Sequence, residues 1–301
     1  CFLPISAVLY CRYPIYGGIS MIVTADAGGV SVSGVSCLDL QQTLFCGQCF
    51  RWRETPGGVF EGVAGNRVGR VSLSEGILRF HGADAAEFES FWRPYFDLDT
   101  DYAAIMALLS SHPALAAASQ YASGVRVLRQ DRWEALLSFI ISQNNNIKRI
   151  GGIIARLCET FGDAIGETGE FSFPTPERLA PLAAEDLAPI RCGFRARYLI
   201  DAAQKVASGE VSLERAARLP LAGARAELMK ITGVGVKVAD CALLYGFHRL
   251  ECFPVDVWIA RAVRAFLPDG LPERMLPYAG IAQQYLFHYV RCCPGALEQH
   301  S

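Results

Sequence analysis

The sequence has few lysines and no excess of positive charge. Only four of its 28 basic residues are lysines, and the formal net charge is −2. The chain as a whole therefore carries no electrostatic signature of a nucleic-acid partner. It contains no run of about 18 uncharged apolar residues, so we expect no transmembrane helix. With 19% charged and 51% hydrophobic residues, its composition excludes a disordered chain and a coiled-coil rod.

Metal-binding spacings are also scarce. Cys46 and Cys49 form one CxxC motif, but neither a second such motif nor a suitably spaced histidine pair accompanies it. A zinc or dithiol redox site is therefore not expected at this position. The total of eleven cysteines is odd, which favours free thiols in a reducing cytosol over a disulfide framework.

Hydrophobic periodicity divides the chain into three parts. Residues 1–30 include the first methionine, Met21, and begin with an apolar, tyrosine-rich stretch; we expect a disordered or non-native N-terminal extension rather than a signal peptide. Residues 31–120 contain short alternating segments separated by glycine and proline turns, which predicts an antiparallel sheet in an α+β domain. Residues 121–301 carry apolar side chains at three- and four-residue spacing, which predicts an all-helical domain.

The strongest local motif lies at residues 228–247. A predicted helix ends, Gly233-Val234-Gly235 forms a tight turn, and a second helix begins. Glycine tolerates positive φ and permits close backbone approach, and the first amides of a helix lack internal partners. Such a hairpin can bind a DNA phosphate, although the same glycines also suit an ordinary helical hairpin.

A lysine and an aspartate follow this turn. Lys237 falls in the first turn of the second helix, where the positive helix end disfavours an ammonium and a neutral amine would be a nucleophile. Asp256 precedes another predicted helix. Its carboxylate can cap that helix or stabilise a developing cation. The combination favours covalent catalysis over simple binding.

These segments together resemble the helix-hairpin-helix superfamily of DNA glycosylases, and specifically the bifunctional 8-oxoguanine DNA glycosylase/AP lyase family. Residues 47–52 resemble its N-terminal signature, residues 142–147 its DNA wedge, and residues 193–198 its second wedge. The resemblance extends from about Leu38 to Val290. It implies a TATA-binding-protein-like sheet domain followed by the helical glycosylase domain.

The resemblance also implies roles for individual residues. Lys237 would be the nucleophile that forms a Schiff base, and Asp256 would stabilise the sugar cation. The pocket for the damaged base would comprise Gly47, Cys241, Gln283, Phe287 and Trp258. The wedge and the contacts to the opposite base would come from Asn144, Arg149, Phe194 and Arg195, and the DNA phosphate would contact Gly233, Val234 and Gly235. Trp258 stands where the animal enzymes have histidine, which resembles a bacterial branch of the family.

The function implied is base-excision repair. The protein would remove 8-oxoguanine opposite cytosine and nick the strand by β-elimination, as a monomer on duplex DNA and away from membranes. No catalytic metal is implied, and no iron–sulfur cluster, since four spaced cysteines after the hairpin are missing. In a bacterium it would act in the cytoplasm on nucleoid DNA. A non-catalytic DNA-binding module and a monofunctional glycosylase for another damaged base remain the alternatives; the latter would not need a lysine at position 237.

Overall fold

The computed structural model describes residues 11–14 and 20–298, and its first part is a seven-stranded antiparallel sheet with strand order β1-β2-β3-β7-β6-β5-β4. The strands are Cys11–Pro14 (β1), Ser20–Asp26 (β2), Gly29–Ser33 (β3), Trp52–Thr55 (β4), Val59–Ala64 (β5), Arg67–Ser74 (β6) and Ile77–His81 (β7). The predicted antiparallel sheet is confirmed. Tight turns set its register: Glu75 and Gly76, between β6 and β7, both have positive φ (52° and 75°). That conformation matches the twist of the flanking strands.

The N-terminal boundary of the sheet differs from the prediction. Within the range expected to be a loose extension, β2 and β3 pair with each other, and β3 pairs with β7. Met21 and Val30 are completely buried in the core of the sheet. The predicted loose extension over residues 1–30 is therefore wrong for residues 20–30, whose apolar side chains complete the sheet core. It is also wrong for Cys11–Pro14, which pair with β2 as strand β1. Residues 1–10 and 15–19 lie outside the described residues.

One face of the sheet is covered by aromatic side chains. Alternate residues of β7, Leu78 and Phe80, are buried under the segment that follows, which contributes Trp92 and Phe96. The Trp52 indole donates a hydrogen bond to the Tyr95 hydroxyl at 3.0 Å, so a buried polar group also has its partner.

The rest of the described chain is helical. Its α-helices are Leu40–Phe45 (α1), Ala85–Glu87 (α2), Arg93–Tyr95 (α3), Tyr102–Ser110 (α4), Pro113–Tyr121 (α5), Arg132–Ile141 (α6), Ile147–Phe161 (α7), Pro176–Leu179 (α8), Ala196–Ala207 (α9), Leu213–Arg218 (α10), Leu221–Leu228 (α11), Val236–Gly246 (α12), Val257–Phe266 (α13), Ala279–Cys292 (α14) and Gly295–Glu298 (α15). A π-helical turn covers Phe88–Trp92, and 3-10 turns cover Ala184–Ile190, Gly193–Arg195 and Glu273–Tyr278. Among the helices placed by the structure, none is long and apolar enough to cross a bilayer.

The two hydrophobic cores do not part at residue 120, where the domain boundary was expected. Helices α4 and α5 contribute Tyr102, Leu109 and Leu115 to the helical core, and α5 packs against α14. They belong to the helical part because α5 packs against α14 and α4 packs against α5.

The packing of one helix pair, α12 and α6, brings two functional segments together. Helix α12 packs against α6, and a Cβ placed on Gly246 would lie 2.9 Å from the Ala135 Cβ, so this crossing requires glycine. On the same interface the rings of Phe139 and Tyr245 stack, with centroids 5.0 Å apart. The start of α12 is thereby held beside the end of α6.

Candidate active site

A cavity of about 230 Å³ opens where the start of α12, the start of α13 and one face of α14 meet. All seven residues predicted for catalysis and for the damaged-base pocket line it: Gly47, Lys237, Cys241, Asp256, Trp258, Gln283 and Phe287. They come from four separate segments of the chain. Their convergence on one cavity is a property of the tertiary structure.

Lys237 is half-buried in the first turn of α12. Its ammonium nitrogen lies 5.8 Å from the centroid of the Phe139 ring and contacts the thiol of Cys241. Burial raises the pKa of the Cys241 thiol to about 11, although the Lys237 cation opposes that rise. The thiol is therefore neutral at physiological pH and forms an uncharged wall of the cavity.

Asp256 is the N-cap of α13. Its Oδ1 accepts a hydrogen bond from the Ile259 amide at 2.8 Å. The cap bond uses Oδ1 and fixes the carboxylate, so capping through this oxygen and stabilisation of a cation through Oδ2 are compatible. Both α12 and α13 begin at the cavity, and their exposed amides make that side of it electropositive.

The buried end of the cavity offers one acceptor without a donor. Gln283 is 5% exposed, and its Oε1 has no hydrogen-bond partner within the described part of the chain. A buried amide oxygen in that state costs free energy until a donor satisfies it. Gly47 has φ +95°, and a Cβ there would lie 3.0 Å from the Ile147 Cδ1, so only glycine fits this wall.

The hairpin turn has two glycines in different surroundings. Gly233 has φ +82°, and a Cβ on it would meet the Tyr198 ring at 2.7 Å. Gly235 has φ −95°, and no heavy atom of the residues that the structure describes lies within 4 Å of its Cβ position, its chain neighbours aside. Asp201 of α9 accepts a hydrogen bond from the Thr232 amide at 2.7 Å. Helix α9 therefore holds the turn from behind and leaves the Gly235 side open.

The four residues predicted for the wedge and the opposite base lie outside the cavity. Asn144 occupies the turn between α6 and α7 with φ +47°, Arg149 is exposed in the first turn of α7, and Phe194 is 50% exposed. Arg195 is only 2% exposed. Its guanidinium donates hydrogen bonds to the carbonyl oxygens of Cys192, Gln143 and Asn144. Arg195 thus joins the two wedge segments, and its contact with an opposite base stays a prediction.

Comparisons with known proteins show the family of this chain. The family model for the 8-oxoguanine DNA glycosylase N-terminal domain matches residues 32–136, and the HhH-GPD superfamily base excision DNA repair model matches residues 137–270. The solved structure of MBOgg1 with a low-affinity DNA ligand is 41% identical, covers 91% of this chain and 99% of that chain, and has a TM-score of 0.86. This chain belongs to the 8-oxoguanine DNA glycosylase family.

Two further relatives support the assignment of this chain to the glycosylase family. The Clostridium acetobutylicum 8-oxoguanine glycosylase/lyase, solved with duplex DNA containing cytosine opposite 8-oxoguanine, is 34% identical over 89% of this chain and 97% of that chain, with a TM-score of 0.84. The Saccharomyces cerevisiae N-glycosylase/DNA lyase is 38% identical over 155 residues, which is 47% of this chain and 41% of the yeast enzyme. The match thus spans less than half of the yeast enzyme.

The glycosylase cavity also contains residues that the sequence did not single out. Phe139 and Tyr245 form part of its wall, and Arg291 adds a second cation to the lining. Arg291 follows Gln283 and Phe287 at four-residue spacing on α14. This spacing places the three side chains on one face of a helix, so it could have predicted Arg291 as a cavity residue from the sequence.

The CxxC of this glycosylase is buried. The Cys46 and Cys49 thiols donate to the carbonyl oxygens of Thr43 and Leu44 at 3.3 and 3.2 Å, and burial raises the pKa of Cys46 to about 11. Such thiols are poor nucleophiles and poor metal ligands. Within the described ranges no group of three or more His, Cys, Asp or Glu side chains could hold a metal ion. A reaction without metal stays a prediction.

Proposed function

We propose that this protein removes 8-oxoguanine opposite cytosine from duplex DNA and then cleaves the strand at the abasic site. One observation carries the proposal: a single cavity combines the Lys237 amine, the Asp256 carboxylate and the Gln283 oxygen, which has no hydrogen-bond partner among the described residues. An amine and a carboxylate at two helix starts can act on the sugar, while the buried amide reads the base. The Clostridium acetobutylicum relative is named an 8-oxoguanine glycosylase/lyase, and the yeast relative an N-glycosylase/DNA lyase.

The chemistry follows from the two ionisable groups. The neutral Lys237 amine attacks the C1′ carbon as the N-glycosidic bond breaks, and the base leaves with its electron pair and gains a proton. Asp256 stabilises the positive charge that develops on the sugar, which is a contribution specific to the transition state. Opening of the sugar ring produces an iminium at C1′. Loss of a C2′ proton then expels the 3′ phosphate, which is β-elimination.

The cavity wall supports recognition of an extruded guanine-type base. The N1–H and N2–H groups on its Watson–Crick edge are donors, and the Gln283 Oε1 is an acceptor without a partner among the described residues. Phe287 offers an apolar face for stacking. The Gly47 carbonyl is the candidate acceptor for the N7 proton that 8-oxoguanine has and guanine lacks.

These steps use only groups of the chain itself, so we expect activity in the presence of EDTA. We expect one protein molecule per lesion site, and in a bacterium the substrate implies a place in the cytoplasm with the nucleoid DNA. Neither expectation depends on the identity of the catalytic residues.

Borohydride trapping tests the proposal. The protein is mixed with a duplex containing 8-oxoguanine opposite cytosine, and the covalent adduct is quantified together with base release and strand cleavage. The parent should form the adduct and Lys237→Gln should not, because only an amine nucleophile leaves a reducible imine. Lys148→Gln removes an exposed lysine of α7 and should still form the adduct. Full strand cleavage and trapping by Lys237→Gln would mean that another group is the nucleophile.

A further inference from the structure

Arg291 is a cavity-lining cation that the steps above leave without a role. It lies in the last turn of α14, half-buried, with its guanidinium 5.1 Å from the centroid of the Phe287 ring. It forms no salt bridge or hydrogen bond with any residue in the described part of the protein. Helix α14 itself contains no aspartate or glutamate. A half-buried guanidinium without an anion is an incomplete ion pair.

The position of Arg291 on α14 relates it to the base pocket. Gln283, Phe287 and Arg291, here called the α14 stripe, are spaced four residues apart and all line the cavity. Over eight residues a helix rises about 12 Å. The stripe thus begins at the buried amide, continues over an aromatic ring and ends at a cation.

A nucleotide has the same order of chemical groups. If the Watson–Crick edge of the base meets Gln283 and the base stacks on Phe287, the sugar and its phosphate extend toward the end of the stripe. The phosphate is the anion that a guanidinium binds best, through two parallel hydrogen bonds. The other cavity cation, Lys237, must be neutral to attack the sugar, so it cannot serve as the phosphate ligand.

We propose that Arg291 binds a backbone phosphate of the extruded nucleotide and that this contact forms only after the base has left the helix. The inference rests on the proposed function, because it assumes that the cavity holds an extruded nucleotide. It assigns to Arg291 a positioning role that does not depend on the damaged base. The contact holds the sugar, and Gln283 and Phe287 hold the base.

The test uses Arg291→Met, which keeps an unbranched stem on Phe287 and removes the charge. Binding to three duplexes is measured as a function of salt: undamaged DNA, DNA with a tetrahydrofuran abasic analogue, and DNA with 8-oxoguanine opposite cytosine. For the last duplex the Lys237→Gln background prevents turnover. Arg291→Lys serves as the conservative variant, and Arg218→Met removes an exposed arginine of α10 that does not line the cavity.

We expect Arg291→Met to weaken binding to both damaged duplexes by roughly 10- to 100-fold and to change binding to undamaged DNA little. The salt slope on the damaged duplexes should fall by about 0.9, the value for one phosphate contact. Arg291→Lys should restore part of the affinity. Arg218→Met should bind the undamaged and tetrahydrofuran duplexes as tightly as the parent does. On the 8-oxoguanine duplex, Arg218→Met in the Lys237→Gln background should bind as tightly as Lys237→Gln alone.

Three results would overturn the inference. A loss on 8-oxoguanine but not on the tetrahydrofuran duplex would mean that Arg291 contacts the base. An equal loss on all three duplexes would make it a general DNA-binding cation, and no loss would leave it without a contact. Failure of the parent to excise 8-oxoguanine would contradict the proposed function instead. Binding of Arg291→Met to the tetrahydrofuran duplex would still test the role of Arg291.

Discussion

At the scale of single residues, Asp256 has two roles that substitution can separate. Asn also caps helices, so Asp256→Asn should keep the hydrogen bond to the Ile259 amide and the stability of the fold. It removes the negative charge, so single-turnover base release should slow by roughly 100-fold or more, with lesion affinity largely kept. Asp256→Ala should in addition lower the free energy of unfolding by about 1 kcal/mol. Base release by Asp256→Asn at the rate of the parent would mean that the charge is not needed and that the cap is the main contribution of this residue.

At the scale of elements, the two hairpin glycines should respond differently to substitution. Gly233→Ala forces a Cβ against Tyr198 at φ +82°, so it should lower the melting temperature and weaken DNA binding. Gly235→Leu enters open space in an extended conformation, so the fold should keep its melting temperature. Its side chain would meet the DNA backbone, and binding to damaged and undamaged duplex should weaken alike, by roughly tenfold. Loss on the damaged duplex alone would show that the turn reads the lesion.

The two wedge segments carry a second prediction at this scale. An orphaned cytosine presents acceptors to arginine donors, whereas adenine presents an amino donor to the same side chains. Each unpaired buried group costs about 1–3 kcal/mol, so single-turnover excision should favour cytosine over adenine by roughly one to two orders of magnitude. Equal excision opposite the two bases would contradict this.

Arginine variants then identify which wedge residue carries the preference. Arg149 is exposed, so Arg149→Ala should reduce the preference for cytosine without changing stability. Arg195 is buried and holds three carbonyl oxygens, so Arg195→Ala should also lower the free energy of unfolding by about 1–3 kcal/mol. An unchanged preference in both variants would assign the two arginines to the phosphate backbone.

At the scale of the whole molecule, a buried carboxylate joins the sheet part to the helical part. Asp97 follows the aromatic segment of the sheet core, and its side chain is fully buried. It accepts hydrogen bonds from Arg129 at 2.7 Å and from the Tyr102 hydroxyl at 3.0 Å, and His248 lies 3.3 Å away. Burial alone would raise the pKa of Asp97, but the nearby His248 and the charge and hydrogen bonds of Arg129 outweigh it and lower the pKa to about 2.

This carboxylate predicts acid sensitivity. Its pKa is 3.8 in an unfolded chain and about 2 in the folded protein, so its ionised form stabilises the fold above pH 4. That contribution, about 2 kcal/mol, should be lost as the pH falls from about 4 to 2. Denaturant unfolding across this range should show a steeper loss of stability for the parent than for Asp97→Asn. Parallel curves for the two proteins would mean that other carboxylates cause the acid sensitivity.

The sequence by itself determined the features that depend on local chemistry. The strand turns and the helical period predicted a sheet followed by helices, because glycine turns and apolar spacing act over a few residues. The family model and the solved relatives confirm the family that the motifs indicated. The residues proposed for the pocket stay predictions as to role, although they line one cavity.

Only the tertiary structure decided which groups are buried and which are paired. The segment from Ser20 was predicted to be a loose extension, but β3 pairs with β7. Helices α4 and α5 belong to the helical core because α5 packs against α14 and α4 packs against α5. Arg195 and Arg291 are both arginines near wedge or pocket motifs. Long-range contacts bury Arg195 against carbonyl oxygens, and they leave Arg291 beside the cavity with no anion among the described residues. Burial and pairing depend on residues far apart in the chain, and a local pattern does not contain them.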